Sequence, residues 1–437
     1  TPLDEPLPTG HEASILKTFA LSYDKLDANK PDDALARTLL HRAALLAPAP
    51  IPRRLLLRAA GLDPADAYAQ EQADHALRRL AALGLIEDLS DEGVRLHRLL
   101  AAYARHRAAA PAEDSAAVEQ ALIDEVQALN MEVFLLRSRP YLSHLQQAAE
   151  DAKQRQDESA VSLLNSLGRL LQAQGDLAGA QSYYEYALEI CKQALDPNHP
   201  RTATSLNNLG TLLQDQGDLA GALQYYKRAL AIREQTLGPL HPDTAQSLDN
   251  LGVLRLSQSD TDAAWEYFQR ARDIRALALD QNDPANAISL TNLGMLSCDE
   301  GDLEEAAPLL KAALALREQT LEPNHPAIAI SLNNLGYLLQ MQGDLEGARL
   351  YHIRALAIWK QALGPTHPNT ARSLNNLGAL LYAEGNLAAA RPLAEGALTI
   401  VEQVLGPNHP RTQFYRENLA ALLDKLKETG EEPIEQP

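Results

Sequence analysis

Apolar residues recur along most of the chain at the spacing of α-helices. After position 200 the leucines stand three or four residues apart, at Leu206, Leu209 and Leu213. This spacing places them on one face of a helix. A second segment, 219–232, has the same period, and the polar stretch before it contains glycine and aspartate. The pattern therefore predicts two helices joined by a tight turn.

This helical hairpin repeats with a step of 42 residues. An Asn-Leu-Gly triplet marks the first helix of successive copies, at 208–210, 250–252, 292–294, 334–336 and 376–378. A Gly-Asp pair marks the turn inside most hairpins, and His-Pro pairs precede the first helices, at 199–200, 241–242, 325–326, 367–368 and 409–410. The exceptions are Ser259-Asp260 and Gly385-Asn386 at the turn, and Asp283-Pro284 before a first helix. The repeat predicts six hairpins and a closing helix, the latter at about 411–426, within residues 156–427.

Each marker residue has a physical role in starting or ending a helix. Proline suits the first turn, where its missing N–H is not needed, so Pro200 predicts a helix start. Gly217 is expected to end a helix in the left-handed conformation, and Asp218 to accept hydrogen bonds from the free N–H groups of the next helix. Asp302 with Glu305 predicts a reciprocal capping box. Gly210 is expected where two helices approach closely.

The pattern resembles the tetratricopeptide repeat (TPR), in a long form similar to the repeats of kinesin light chains. The resemblance implies an all-α fold: a TPR α-solenoid, built as a right-handed superhelix of helical hairpins with a capping helix at its open end. It implies that the first helices line a concave groove and that the protein binds other proteins. The acidic residues 428–437 lack an apolar pattern and are expected to be disordered.

Residues 1–110 do not follow the repeat. Their apolar periodicity predicts helices near 13–24, 33–47, 52–60, 66–83 and 98–107, with two short strands at 85–87 and 94–96 before the last helix. Helices followed by a small β-hairpin form a winged-helix layout. We therefore expect a mainly helical winged-helix domain over 1–110. Residues 111–155 are expected to form a helical linker, a degenerate hairpin with helices near 115–130 and 140–154.

Three segments of this domain, 15–26, 80–86 and 94–100, resemble the winged helix of bacterial NB-ARC-type ATPases of the STAND class. In that family a Met-His-Asp motif contacts bound ADP, and His97 matches its histidine. Leu96 stands in place of the methionine and Arg98 in place of the aspartate, which departs from the motif's usual resting-state network. The contact of His97 with ADP is expected only in an intact parent protein that includes the nucleotide-binding core. The chain contains no GxxxxGK[ST] phosphate-binding loop. The resemblance therefore implies a C-terminal part of a longer protein, without a cofactor of its own, whose ADP or ATP binds an upstream nucleotide-binding domain in cis.

Charge and composition narrow the range of partners. The formal net charge is −19, and residues 1–110 hold 14 Lys and Arg against 15 Asp and Glu, so the excess of acid lies in the repeats. Such a chain is not expected to bind nucleic acid, which requires clustered Lys and Arg. The two cysteines form no metal or disulfide motif, and no apolar stretch approaches a membrane span. We expect a cytoplasmic protein that does not bind membranes.

The first helices carry the candidate binding residues. In the tetratricopeptide family one first-helix position faces the groove, and here it carries mostly amides, which bond an extended peptide backbone. Neighbouring positions one and two turns further on share that face. The expected peptide-binding residues are Asn165, Arg169, Asn207, Gln214, Asp249, Thr291, Asn333, Tyr337, Gln340, Asn375 and Tyr382. The adjacent column, Asn208 and its equivalents, is interpreted instead as structural, because asparagine at this position of the family can bond the backbone between hairpins.

Other kinds of site are not favoured by the sequence. The His-Pro histidines, such as His199, recur once per hairpin, about 10 Å apart, whereas zinc ligands must converge on one ion. These histidines are therefore interpreted as loop and cap residues, and no metal site is expected. No catalytic constellation stands out, and the chain is not expected to be an enzyme. The preferred prediction is the ligand-sensing arm and winged-helix relay of a STAND signalling ATPase. The alternative is a free-standing scaffold that binds peptide segments in its concave groove.

Overall fold

The computed structural model describes residues 10–89, 93–108, 110–128, 134–173, 176–407 and 410–429. The secondary structure of these residues is almost entirely α-helical. The chain divides into two compact units, Thr1–Pro197 and Asn198–Pro437. The elements of the first unit are α1 Gly10–Tyr23, α2 Pro31–Ala43, α3 Arg53–Ala59, α4 Ala67–Ala82, β1 Glu87–Asp88, β2 Val94–Arg95, α5 Arg98–Arg107, α6 Pro111–Ala128, α7 Phe134–Ala152, α8 Glu158–Ala173 and α9 Leu177–Ala194. The predicted tail beyond position 429 lies outside the described residues.

The second unit consists of successive helical hairpins and a final helix. Its elements are α10 Pro200–Asp215, α11 Leu219–Thr236, α12 Pro242–Ser257, α13 Thr261–Ala278, α14 Asn286–Glu300, α15 Leu303–Thr320, α16 Pro326–Met341, α17 Leu345–Leu363, α18 Pro368–Ala383, α19 Leu387–Leu405 and α20 Pro410–Thr429. We number the hairpins from α8–α9 (hairpin 1) to α18–α19 (hairpin 6). Within the second unit each second helix packs on the next first helix, as α11 packs on α12. The prediction of an all-α repeat fold is confirmed.

In the first unit the two strands pair antiparallel, with Glu87 opposite Arg95. An isolated bridge adds Ile51 to the outer side of this pair, through hydrogen bonds of 2.7 and 2.9 Å with Val94. Gly93 is required here, because its φ is +103° and an added methyl group would lie 2.2 Å from the Ile51 carbonyl oxygen. The helices α2, α3 and α4 thus lead into a small hairpin that precedes α5, in the predicted order.

The segment predicted as a linker packs closely on these helices. Glu125 of α6 is 2% exposed, and its carboxylate accepts hydrogen bonds from Arg54, Arg58 and Tyr141 at 2.6 to 3.1 Å. Arg42 of α2 bonds the carboxylate of Asp114 at 3.0 Å. Charged groups this well surrounded by donors fix the register of α6 on α2 and α3. Residues 111–128 and 134–152 therefore belong to the packed body of the first unit.

The caps of the repeat helices follow the marker residues. The side chains of Asp218, Asp302 and Asp344 accept from the backbone N–H three residues later. The N-cap histidines do the same two residues later, through Nδ1, at distances of 3.1 or 3.2 Å: His199, His241, His325 and His367. The expected capping box is only half formed, because the N–H of Asp302 donates to Ser297 rather than to Glu305.

The irregular copies keep the turn by other means. Ser259 adopts the left-handed conformation, with φ +60°, that glycine has at 217, 301, 343 and 385. Asp283 stands in place of the histidine, and its carboxylate accepts from the N–H of Ala285 at 2.8 Å. It does not cap α14, however, because this helix begins only at Asn286 and has no side-chain cap. The turn inside hairpin 3 is therefore retained, whereas the start of α14 is displaced from the position of Pro284.

Candidate functional site

We call the exposed side of the first helices of the second unit, α10, α12, α14, α16, α18 and α20, the first-helix face. Neighbouring first helices contact one another, as α10 contacts α12 and α16 contacts α18. Residues from several hairpins therefore lie side by side along this face. The sequence-predicted groove residues of the second unit belong to these helices, but they differ in how far they reach the surface.

The predicted amide column is largely buried between hairpins. Asn207 is 5% exposed and donates to the Ser247 hydroxyl of the next hairpin at 3.2 Å. Asn333 is equally buried and donates to Ser373 at 2.9 Å. In the first unit, Asn165 is 6% exposed. Asn207 and Asn333 therefore join hairpins, and a peptide on the surface reaches none of the three buried side chains unless the packing opens.

Asp249 occupies the same column and forms a buried ion pair with Arg275. It also accepts from Asn292 of the next hairpin at 3.2 Å. Burial raises the pKa of the Asp249 carboxyl, although the Arg275 guanidinium opposes the shift. Asp249 is thus a link between hairpins 3 and 4 rather than an accessible ligand group.

The Asn208 column reaches further out than the predicted column. Its members are all half-buried: Asn208, Asn250, Asn292, Asn334, Asn376 and Asn418. Two of them donate back to the preceding hairpin, Asn292 to Asp249 and Asn418 to Asn375, each at 3.2 Å. These two bonds join hairpins, but from side chain to side chain and not to the backbone as expected.

Five further predicted residues lie at or near the surface. Tyr337 is 38% and Tyr382 41% exposed. Gln340 and Asn375 are half-buried beside them. Thr291 is also half-buried, but its hydroxyl bonds the Ala287 carbonyl oxygen of its own helix. The accessible predicted residues are therefore concentrated in α16 and α18.

The other two predicted groove residues have structural partners. Gln214 is half-buried; it accepts from the Tyr226 hydroxyl at 3.1 Å and donates to Ser257 at 3.3 Å. Arg169 of the first unit is half-buried as well, and burial lowers its pKa.

A large second-helix side chain normally covers the first-helix glycine of its own hairpin. A methyl group added at Gly210 would lie 2.6 Å from the Tyr226 ring, and one at Gly252 would lie 2.4 Å from Phe268. We call this second-helix place the ring position. It is occupied in turn by Tyr184, Tyr226, Phe268, Leu310, His352 and Ala394.

Hairpin 6 breaks the series. Ala394 leaves Gly378 uncovered, since an added methyl group there would meet no atom nearer than 3.5 Å, apart from its own helix. A cavity of about 420 Å³ opens at this place, between α16, α17, α18, α19 and α20. Its lining includes Tyr337, Gln340, Asn375 and Tyr382 from the predicted set, together with Phe414, which the sequence analysis did not select. The signal that would have found it is alanine in the ring position.

His352 of hairpin 5 forms part of the cavity wall. It is 1% exposed, and its Nδ1 lies 3.1 Å from the Asn333 side-chain oxygen. Because the Asn333 amide nitrogen donates to Ser373, the oxygen accepts and Nδ1 carries the proton. Burial lowers the pKa of His352 to about 4, so the ring is uncharged at neutral pH.

His97, the residue matched to the ADP-contacting histidine, is exposed at the start of α5. Its Nδ1 accepts from the N–H of Leu99 at 3.3 Å, so it caps this helix. Across the described residues, no group of three His, Cys, Asp or Glu side chains is placed to hold a metal ion. Within the same part of the chain, no helix combines the length and the apolar character needed to cross a membrane.

Comparison with known proteins identifies the repeat. The sequence profile of the tetratricopeptide repeat matches residues 158–235, 206–276, 285–352, 333–395 and 374–431, more than half of the chain. The chain belongs to the tetratricopeptide repeat family. Members of this family are interaction modules that bind protein or peptide partners. The comparison with curated proteins found no match.

Three solved structures are similar to this chain at low sequence identity. A STAND protein with a tetratricopeptide repeat sensor from Pyrococcus horikoshii is 13% identical with a TM-score of 0.50, over 98% of this chain and 60% of that one. The kinesin light chain TPR-like repeats of Podosopora anserina are 24% identical with a TM-score of 0.40, over 47% of this chain and 97% of that one. BtubC from P. vanneervenii is 21% identical with a TM-score of 0.42, over 56% and 91%.

Proposed function

We propose that the second unit binds an extended segment of a partner protein along the first-helix face. The observation that carries the proposal is the cluster of exposed aromatic side chains on α16, α18 and α20: Tyr337, Tyr382 and Phe414, the last 53% exposed. Exposed rings in one place are typical of interaction surfaces, where aromatic residues are enriched. The half-buried amides Gln340 and Asn375 beside them offer hydrogen bonds to a peptide backbone.

The charge of the repeats indicates the character of the partner. Residues 111–437 hold nearly all of the net charge of −19. Complementary charge speeds association and disfavours acidic partners more than it adds affinity. The proposed partner segment is therefore apolar at its contact with the rings, and basic or neutral around it.

Affinity capture with matched variants tests this proposal. One bait is the wild-type chain, and a second carries Tyr337→Ala and Gln340→Ala. The control carries Leu350→Ala and Ile353→Ala, which remove exposed apolar side chains, 70% and 49% exposed, from the second helix α17. We expect a partner that the wild type and the control retain and the face variant loses, and that a synthetic peptide from the partner displaces. A partner lost only by the α17 control would place the binding surface on the second helices and refute the proposal.

We further propose that the chain is the sensing arm and relay of a STAND signalling ATPase. Three features support this proposal. They are the amino-acid sequence of residues 15–100, the order of α2 to α5 with the strand pair, and the similarity of fold to the P. horikoshii STAND protein. In this proposal the predicted winged-helix domain, residues 1–110, lies against an upstream nucleotide-binding domain. Binding of a trigger by the repeats would then be relayed to bound ADP or ATP.

The coding sequence upstream of Thr1 gives the first test of this relay. We expect it to encode a GxxxxGK[ST] loop within a nucleotide-binding domain. A reading frame without that loop would favour the alternative, a free-standing scaffold. In the intact protein, His97→Ala should speed the release of ADP. His97→Asn is the informative partner, because asparagine retains the cap on α5 while removing the imidazole. If both variants retain ADP like the wild type, His97 does not contact the nucleotide.

A further inference from the structure

The cavity of hairpin 6 exists because the ring position there is empty. Hairpins 1, 2, 3 and 5 place a ring over the first-helix glycine, from Tyr184, Tyr226, Phe268 and His352, and hairpin 4 places Leu310 there. Ala394 provides no such cover, and a cavity of about 420 Å³ results. The neighbouring Tyr382 does not fill it, since this ring remains 41% exposed. A volume of this size lies within the range of ligand-binding pockets.

Burial separates the floor of the cavity from its opening. Gly378, Ala394 and Leu422 line it and are buried, so they form an apolar floor. Tyr337, Tyr382 and Phe414 line it and are exposed, so they surround the opening. A ring entering between them would meet aromatic partners at edge-to-face or offset geometry, which favours aromatic pairs.

The polar groups of the lining select an uncharged occupant. Among the described residues that line the cavity there is no Asp, Glu, Lys or Arg. An ionised group buried there would lack a counter-charge, which is costly. The amides of Gln340, Asn375 and Asn418 also line it, and side-chain amides bond the N–H and C=O groups of a peptide backbone.

We propose that this cavity binds the aromatic side chain, phenylalanine or tyrosine, of a peptide segment of the partner protein. The inserted ring takes the place over Gly378 that a second-helix ring takes in four other hairpins. The inference rests on the proposed binding of a segment along the first-helix face, and it assigns the anchor residue of that segment. The chain itself supplies the argument for the occupant, because its own rings fit the same glycine-floored space.

The test uses peptide libraries displayed on phage, selected on the wild-type chain. We expect the retained peptides to share one Phe or Tyr at a fixed position. Ala394→Tyr fills the ring position from within, and we expect it to weaken binding of these peptides at least about tenfold, as loss of an aromatic anchor does. Thr399→Tyr adds the same side chain to an exposed place on α19 and should leave affinity unchanged. Ala394→Leu, which copies hairpin 4, provides a second filled variant if the tyrosine perturbs folding as measured by circular dichroism.

The outcomes separate the inference from the proposed function. Selected peptides without a shared aromatic residue, or unchanged affinity for both filled variants, would overturn the aromatic anchor. If Tyr337→Ala still abolished their binding, the first-helix face would remain the binding surface. If no peptide is selected, the probe is p-cresol, and NMR measures whether it binds to the chain. Binding of p-cresol that Ala394→Tyr removes would assign the cavity to a small aromatic molecule and overturn the peptide anchor. No binding of either would refute both proposals.

Discussion

Hairpins 2 and 6 share a backbone plan but differ at one point. In hairpin 2 the Tyr226 ring is 1% exposed, covers Gly210, and bonds Thr211 and Gln214 through its hydroxyl at 3.0 and 3.1 Å. In hairpin 6 Ala394 leaves the matching glycine open to a cavity. One side chain therefore decides whether the hairpin interior is closed or accessible. The repeat determines the backbone of every hairpin, and the change to alanine at position 394 leaves a cavity in one of them.

Replacing the ring of hairpin 2 with a methyl group should have the largest effect on stability. Tyr226→Ala removes a buried ring and its two hydrogen bonds, and we expect the free energy of unfolding to fall by about 3–5 kcal/mol. The loss should unfold hairpin 2 and its neighbours first, because repeats contact only adjacent repeats. Urea denaturation measures it, with Leu277→Ala, whose side chain is 74% exposed, as the control. A loss no larger than in the control would mean that the ring is not needed to close the hairpin.

Acid should affect hairpin 5, where the ring position carries a histidine. Burial lowers the pKa of His352 in the folded state to about 4, from an ordinary value of 6.5. The unfolded chain therefore takes up the proton first, and the stability due to the neutral ring, present above pH 6.5, is lost as the pH falls toward 4.

His352→Phe should remove this acid-sensitive contribution to the free energy of unfolding. We expect the variant to lose about 2–3 kcal/mol less than the wild type between pH 7 and pH 4 in urea denaturation. Some acid loss should persist, because burial also lowers the pKa of His367 to about 4. Phe268 indicates that a phenyl ring fits over the glycine. Equal acid loss in variant and wild type would show that His352 is protonated without cost in the folded chain.

Much of this architecture was predictable from the sequence. The step of 42 residues located the repeat helices, with the final helix observed as Pro410–Thr429 against an expected 411–426. Asp218 and His199 were readable as caps because a side chain near a helix start has few other roles there. Local chemistry of this kind depends on residues close in sequence, so periodicity and marker residues suffice.

The choice between adjacent columns was not predictable in the same way. Asn207 and Asn208 differ by one residue, so they point about 100° apart on the helix. Which one is buried depends on how the next hairpin packs and on Ser247, 40 residues away, which bonds Asn207. The accessibility of the hairpin 6 cavity likewise depends on Tyr382 staying outside it. Packing between repeats decides both, and a single-helix pattern does not encode it.

A methyl group added to the glycine of hairpin 2 tests how tightly the ring covers it. In Gly210→Ala the new carbon would lie 2.6 Å from the Tyr226 ring, so the ring or the helix must shift. We expect the free energy of unfolding to fall by about 1–3 kcal/mol, as in other overpacked cores. Thermal denaturation followed by circular dichroism measures the change. Combination with Tyr226→Ala should reduce the penalty, because the obstructing ring is then absent.

The same change in hairpin 6 should have the smallest effect and the opposite sign. In Gly378→Ala the new methyl group lies 3.5 Å or more from its neighbours, at ordinary contact distance. Alanine is favoured over glycine inside a helix, so we expect a gain of about 0.5–1 kcal/mol. Measured beside Gly210→Ala, the identical substitution then separates the covered glycine from the open one by sign alone. A loss in both hairpins would mean that α18 and α19 approach as closely as α10 and α11, and that the cavity closes in solution.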